Sequence, residues 1–330
     1  MRYRSISAIL VVLVFGHVST LCGQTSEVKL ESAQAKITAV SAMRARRAPQ
    51  VTAAEITRLK LGTVVNATAR SSEQDTAGGK TDYWYQVTLT NGQSGWLFGG
   101  LLLDYNTSQR EQILRQIIEA RLKAESTDFS DRQEIYNLAA RSLTDAKDGN
   151  TRAEFELLKL LALANAAAAF PDGQGEKSPN REWLRAHAAE VVRNEFAGSY
   201  NIHTELFWKL EAKYHVLPIA ERIAWAAVEN PEPHDCEGDE VCHLFVYEGA
   251  VKYLNLHPSG VHAAEAVKNL NELVTDDVIK RAKDNGGDKY AVEERTSLRK
   301  LFAQLRIALA KTSVTGKSEL LKKLDRVSLR

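Results

Sequence analysis

Residues 234–243 read HDCEGDEVCH, which places two cysteines, two histidines and four acids within ten positions. Such a set could hold a metal, carry a reactive thiol or close a disulfide. Zinc takes thiolate and imidazole, so His234, Cys236, Cys242 and His243 are a candidate ligand set. Five residues separate the cysteines, however, against the two to four of common zinc sites, and no second cysteine pair completes the site. A nucleophilic thiol needs a partnering base and surroundings that lower its pKa, whereas Asp235, Glu237, Asp239 and Glu240 would raise it. The same four acids do not follow the spacing of a calcium loop. They are better placed to begin the next helix, where the helix dipole favours negative charge. A Cys236–Cys242 disulfide across the bend at Gly238 is the predicted chemistry, with a loop-entropy contribution of ~2 kcal/mol. No metal ligands are assigned, and no cofactor is called for.

That reading depends on compartment. The chain opens Met1-Arg2-Tyr3-Arg4 and continues SISAILVVLVFG, with no acid before Glu27. A basic start followed by a short apolar run predicts a signal peptide over residues 1–23 and a periplasmic or secreted protein. The run is too short to span a bilayer as a stable helix, so no transmembrane segment is expected in the mature chain. Cys22 offers the rival of a lipoprotein, but Leu21 sits where such signals take a small residue. In an oxidising compartment the two remaining cysteines should pair. The 330 residues carry 43 basic and 42 acidic side chains, a balance that argues against a nucleic-acid partner. The length suggests two domains.

The elements that would position these residues fall into two groups. Residues 24–34 read as a linker. From 35 to 105 the apolar residues tend to alternate: Thr57, Leu59 and Leu61 lie on one face, Arg58 and Lys60 on the other, and Gly62 turns the chain. YWYQVTLTNGQSGWLF reads as two strands joined by Asn91-Gly92, a pair suited to a tight hairpin. A small twisted barrel is expected. Tyr83, Trp84 and Tyr85 are candidate ligand-binding residues, with Trp84 on the face opposite the two tyrosines. Trp96 is expected to fill the barrel core. The polar stretch from Arg70 to Asp82 reads as a mobile surface loop.

The segments SAMRARRAPQ, ITRLKLGTVV and DYWYQVTLTNGQSGWLFGGLL together resemble the bacterial SH3 (SH3b) domain. The matching positions are Ala45-Arg46 with Pro49, Leu59 to Gly62, Trp84-Tyr85-Gln86-Val87 and Gly95-Trp96-Leu97. Position 45 departs from the family's usual valine. The resemblance covers about seventy residues and implies an SH3-like barrel that recognises a cell-wall peptide or an envelope protein.

From residue 106 to the end the period is helical. Ile113, Ile117 and Leu122, flanked by Leu114 and Ile118, form an apolar stripe. EFELLKLLALANAAAAF is apolar on several sides and should be the centre of an all-helical domain. PDGQGEKSPN reads as a loop, and REWLRAHAAEVVRNEF as a further helix. KYHVLPIAERI and LHPSGVHAAEAV repeat one order of residues roughly 40 positions apart, a period typical of helical hairpins. The second resembles tetratricopeptide-like repeats, which implies stacked hairpins. Trp208 and Trp225 are expected to pack between helices.

Other suggestive strings fail. DGQGEKS and KTSVTGKS lack required glycines and a preceding strand. DAKDGNTRAEF puts Phe155 where a calcium loop needs its bidentate glutamate. The expectation is an exported, non-enzymatic binding or scaffold protein of the bacterial envelope. The rival is an enzyme, or an accessory of one, with a site built around His187, His257 and His262.

Overall fold

The computed structural model describes residues 27–126, 128–194, 197–284 and 286–327. The signal-peptide expectation and Cys22 fall outside the described residues. Seven antiparallel strands come first: β1 (Glu27–Thr38), β2 (Met43–Arg46), β3 (Glu55–Leu59), β4 (Val64–Ala77), β5 (Lys80–Thr88), β6 (Ser94–Phe98) and β7 (Leu102–Asp104). They form one sheet in the order β3-β2-β6-β5-β4-β1-β7. The strand order runs from β3 at one edge to β7 at the other and does not close into a barrel. The segment read as a linker is already strand from Glu27, which pairs with Ser71 of β4.

The stretch read as a mobile loop is a β-ribbon. Gln74 to Ala77 pair with Tyr83 to Lys80, and Gly78 and Gly79 turn the chain with φ of 58° and 75°. Two successive positive φ values give the mirror-image turn that matches strand twist. Where the register breaks between Arg70 and Gln74, buried Ser71 mends the ladder: its hydroxyl accepts from the Trp84 N–H at 3.0 Å and donates to the Glu73 carbonyl at 2.6 Å.

Helices follow: α1 (Arg110–Lys123), α2 (Phe129–Thr144), α3 (Gly149–Ala168), α4 (Asn180–Ala186), α5 (Glu205–Tyr214), α6 (Ala220–Glu229), α7 (Glu240–Val246), α8 (Gly249–Leu256), α9 (Ala263–Leu273), α10 (Asp276–Lys283), α11 (Lys289–Lys311) and α12 (Lys317–Asp325). Asp148 caps α3 by accepting from the Thr151 N–H at 2.9 Å. As expected of a central helix, α3 sends Leu157 and Leu163 into one core and Phe155 and Leu158 into another. The segment read as a helix from Arg181 departs from expectation: α4 stops at Ala186, and β8 (Val191–Arg193) pairs with β9 (Tyr200–Ile202) as a short ribbon. The two repeat-like segments form the turns of the hairpins α5–α6 and α8–α9, with α6 packed on α8. Among the described residues no helix is long and apolar enough to cross a membrane.

Sheet and helices share a core. Ile37 and Leu61 are buried together with Ile117, Ile118 and Leu138. The Leu61 N–H donates to Glu134 at 2.9 Å, and Arg141 donates to the Leu61 carbonyl at 3.2 Å. Gly62 sits at φ 74° against α2, where a Cβ would come within 2.5 Å of Leu138 Cδ1. Only glycine meets both conditions.

Candidate functional site

Cys236 and Cys242 form the predicted disulfide, with an S–S distance of 2.02 Å. Of the four acids expected to begin the next helix, Asp239 and Glu240 do so, while Asp235 and Glu237 lie before it. Asp239 caps α7, accepting from the Val241 and Cys242 N–H groups at 2.8 and 3.2 Å. Arg281 of α10 reaches the same carboxylate at 2.9 Å and also pairs with Glu294 of α11. Partial burial opposes the charge on Asp239. The Cys242 N–H, the Arg281 guanidinium and the Val241 N–H outweigh it and hold the carboxyl below its ordinary value. Among the described residues no group of three or more His, Cys, Asp or Glu side chains is arranged to hold a metal ion.

The staple sits at the end of residues 230–235, a half-buried to exposed segment that runs between two hollows. The larger is a cleft of ≈ 980 Å³ bounded by α5, the end of α6, α8 and α11. The smaller, ≈ 410 Å³, lies against α3 and β9 and shares Pro231, Glu232, His234 and Val246 with the first. The segment is a partition, and both its ends are fixed. At one end Thr204, just before α5, donates its hydroxyl to the Asn230 carbonyl and its N–H to Glu232 at 3.0 Å. At the other end stand the disulfide and the Asp239 cap.

The lining of the larger cleft is mixed. Trp208, 8% exposed, forms part of the wall, and the Lys252 ammonium lies over its ring, 4.3 Å from the centroid. Phe245 and Leu256 add apolar surface. Four acids line it as well: Glu294 is taken by Arg281 and Glu232 by the Thr204 N–H, while Glu205 and Glu248 are exposed at its rim. Lys252 and Lys300 are exposed and, among the described residues, in no ion pair. An apolar wall beside two available ammonium groups suits a chain that carries both an apolar side chain and a carboxylate.

The other candidates fare unevenly. Trp84 is 2% exposed: its ring packs on Phe98 at 5.5 Å between centroids, and its Nε1–H donates to Asp75 at 3.0 Å. The folded-back ribbon that supplies Asp75 covers it, which removes Trp84 from any ligand surface. Tyr83 and Tyr85, on the opposite face, are half-buried beneath Arg70 and Lys36, with cation-to-ring distances of 4.0 and 4.5 Å. Trp96 is buried, but in the Trp84–Phe98 cluster rather than with Val87 and Leu97 in the main front core.

The three histidines of the rival site are not assembled. His187 pairs with Glu190 at 2.7 Å beside Tyr136 and Trp183. Burial and the Glu190 charge push the Tyr136 hydroxyl up to about 12. His257 and His262 lie instead in the α8–α9 turn. His257 meets buried Glu211 at 3.2 Å, and His262 stacks on Trp225 at 4.4 Å. Between them Tyr253 donates to Glu221 and accepts the His262 N–H at 3.2 Å, and Gly260 lets the turn close over its hydroxyl. Burial and the Glu221 carboxylate raise the Tyr253 pKa, so the phenol stays a donor. This cluster fastens one hairpin to the next. Compared with known protein families, curated proteins and solved structures, the chain matches none.

Proposed function

We propose that the chain is an exported, non-enzymatic binding or scaffold protein of the bacterial cell envelope, and that its principal ligand site is the larger helical cleft. In this reading the front sheet is an SH3-like module that supports the tetratricopeptide-like helical unit, and the ligand is a carboxylate-bearing peptide from the cell wall or from an envelope protein. The observation that carries the proposal is the pairing of an apolar wall, Trp208 with Phe245, with the exposed Lys252 and Lys300 in one cleft of ≈ 980 Å³. That volume lies in the range of sites that enclose most of a small ligand. Titration calorimetry of the full, oxidised chain against soluble wall peptides should give saturable heat. A Lys252→Glu/Lys300→Glu variant should bind about tenfold more weakly or worse, since each reversed charge changes an attraction into a repulsion. Absence of heat with every wall peptide, or an unchanged affinity in the charge-reversed variant, would remove the cleft from consideration.

A further inference from the structure

The β2–β3 hairpin at the edge of the sheet carries a concentration of positive charge that neither unit's core requires. Arg44 and Arg58 face each other directly across the two strands, with side chains 56% and 55% exposed. Like charges in such a pair destabilise it, and one carboxylate, Glu55, stands between them at 3.4 and 2.9 Å. Arg46 spans the connecting loop by donating to the Ala53 carbonyl at 2.6 Å. Arg47 begins that loop and is exposed. The four arginines and one glutamate leave a surplus of three positive charges on a chain whose net charge is only +1. At the tip of the same loop Val51 is 44% exposed. Because β3 has no strand beyond it, the hairpin forms the end of the sheet.

We infer that this hairpin is a contact for an anionic lipid surface: the arginines meet headgroup phosphates and Val51 enters the layer beneath them. A soluble phosphate polymer would satisfy the arginines equally well, but it gains nothing from an exposed apolar tip. A bilayer interface rewards both. The contact is mainly electrostatic and therefore weakens with added salt.

The test is co-sedimentation of the full chain with vesicles of phosphatidylcholine alone and of phosphatidylcholine mixed with phosphatidylglycerol. Binding should appear only with the anionic lipid. Arg47→Gln/Arg58→Gln should weaken it about thirtyfold, from roughly 1 kcal/mol per basic residue at the surface. Val51→Ser should weaken it about threefold. Far-UV circular dichroism should show both variants folded, since the altered side chains are exposed. The proposal fails if anionic vesicles retain no protein, or if both variants sediment as the parent does. It also fails if inorganic polyphosphate binds the chain, the arginine variant loses that binding, and Val51→Ser leaves vesicle binding intact, because the hairpin would then be a polyanion site with no lipid preference.

Discussion

Two places in the molecule must hold separate pieces together, and they do so by opposite means. Where sheet meets helices, Ile37, Leu61 and Leu138 are nearly or wholly removed from solvent, and Gly62 allows backbone and side chain to touch. Between α6 and α7, residues 230–239 are at best half-buried, and a covalent bond and a helix cap take the place of a core. Close packing suffices where apolar area is available. Where the chain must stay at the surface between two hollows, a short cross-link supplies what burial cannot.

The sharpest way to break the contrast is at the packed joint. Gly62→Ala should cost about 3 kcal/mol, combining strain at positive φ with overpacking against Leu138, read as a lower urea midpoint. A change under half a kilocalorie would show the joint to be looser than drawn. Arg132, 6% exposed, donates to the carbonyls of Arg121, Ala124 and Ser126 at the end of α1. Arg132→Ala leaves those groups unpaired and should cost a similar ~3 kcal/mol in the same measurement.

At the stapled connection the expected effects are smaller. Cys236→Ser/Cys242→Ser should lower stability by ~2 kcal/mol in thermal melts, while the parent melts at the lower temperature once reductant is added. Asp239→Ala should cost about 1 kcal/mol through loss of the α7 cap. The acid response gives the smallest signal. The Asp239 carboxyl is depressed in the folded state, so its stabilisation is present above the unfolded value and is lost as pH falls through the folded one. The difference in melting temperature between the parent and Asp239→Asn should therefore shrink below about pH 4.

Short-range signals made much of this visible in the residues alone. Asn91-Gly92 is the β5–β6 turn, with Gly92 at φ 79°. The cysteine pair is bonded, and the alternation of Arg58 and Lys60 with Leu59 and Leu61 reports exposure correctly. The ribbon over residues 70–82 leaves no alternation to read because its side chains are polar on both faces, although Gly78-Gly79 is itself a hairpin signal. Sheet closure could not be read, since it depends on pairing between strands distant in sequence, such as β1 with β7. The helical ending of α4 was hidden because Val191 and Val192 continue an apolar rhythm that fits helix or strand. The cleft had no local signature: Trp208, Lys252 and Lys300 meet only through the packing of three helices.

The partition between the hollows has a practical side. Preparations made in a reducing cytosol, or kept in thiol-containing buffer, leave the far end of residues 230–235 to the Asp239 cap without its cross-link. A ligand screen run on such material would meet the cleft with its partition held by Thr204 and the Asp239 cap alone, so oxidised protein is the material to screen.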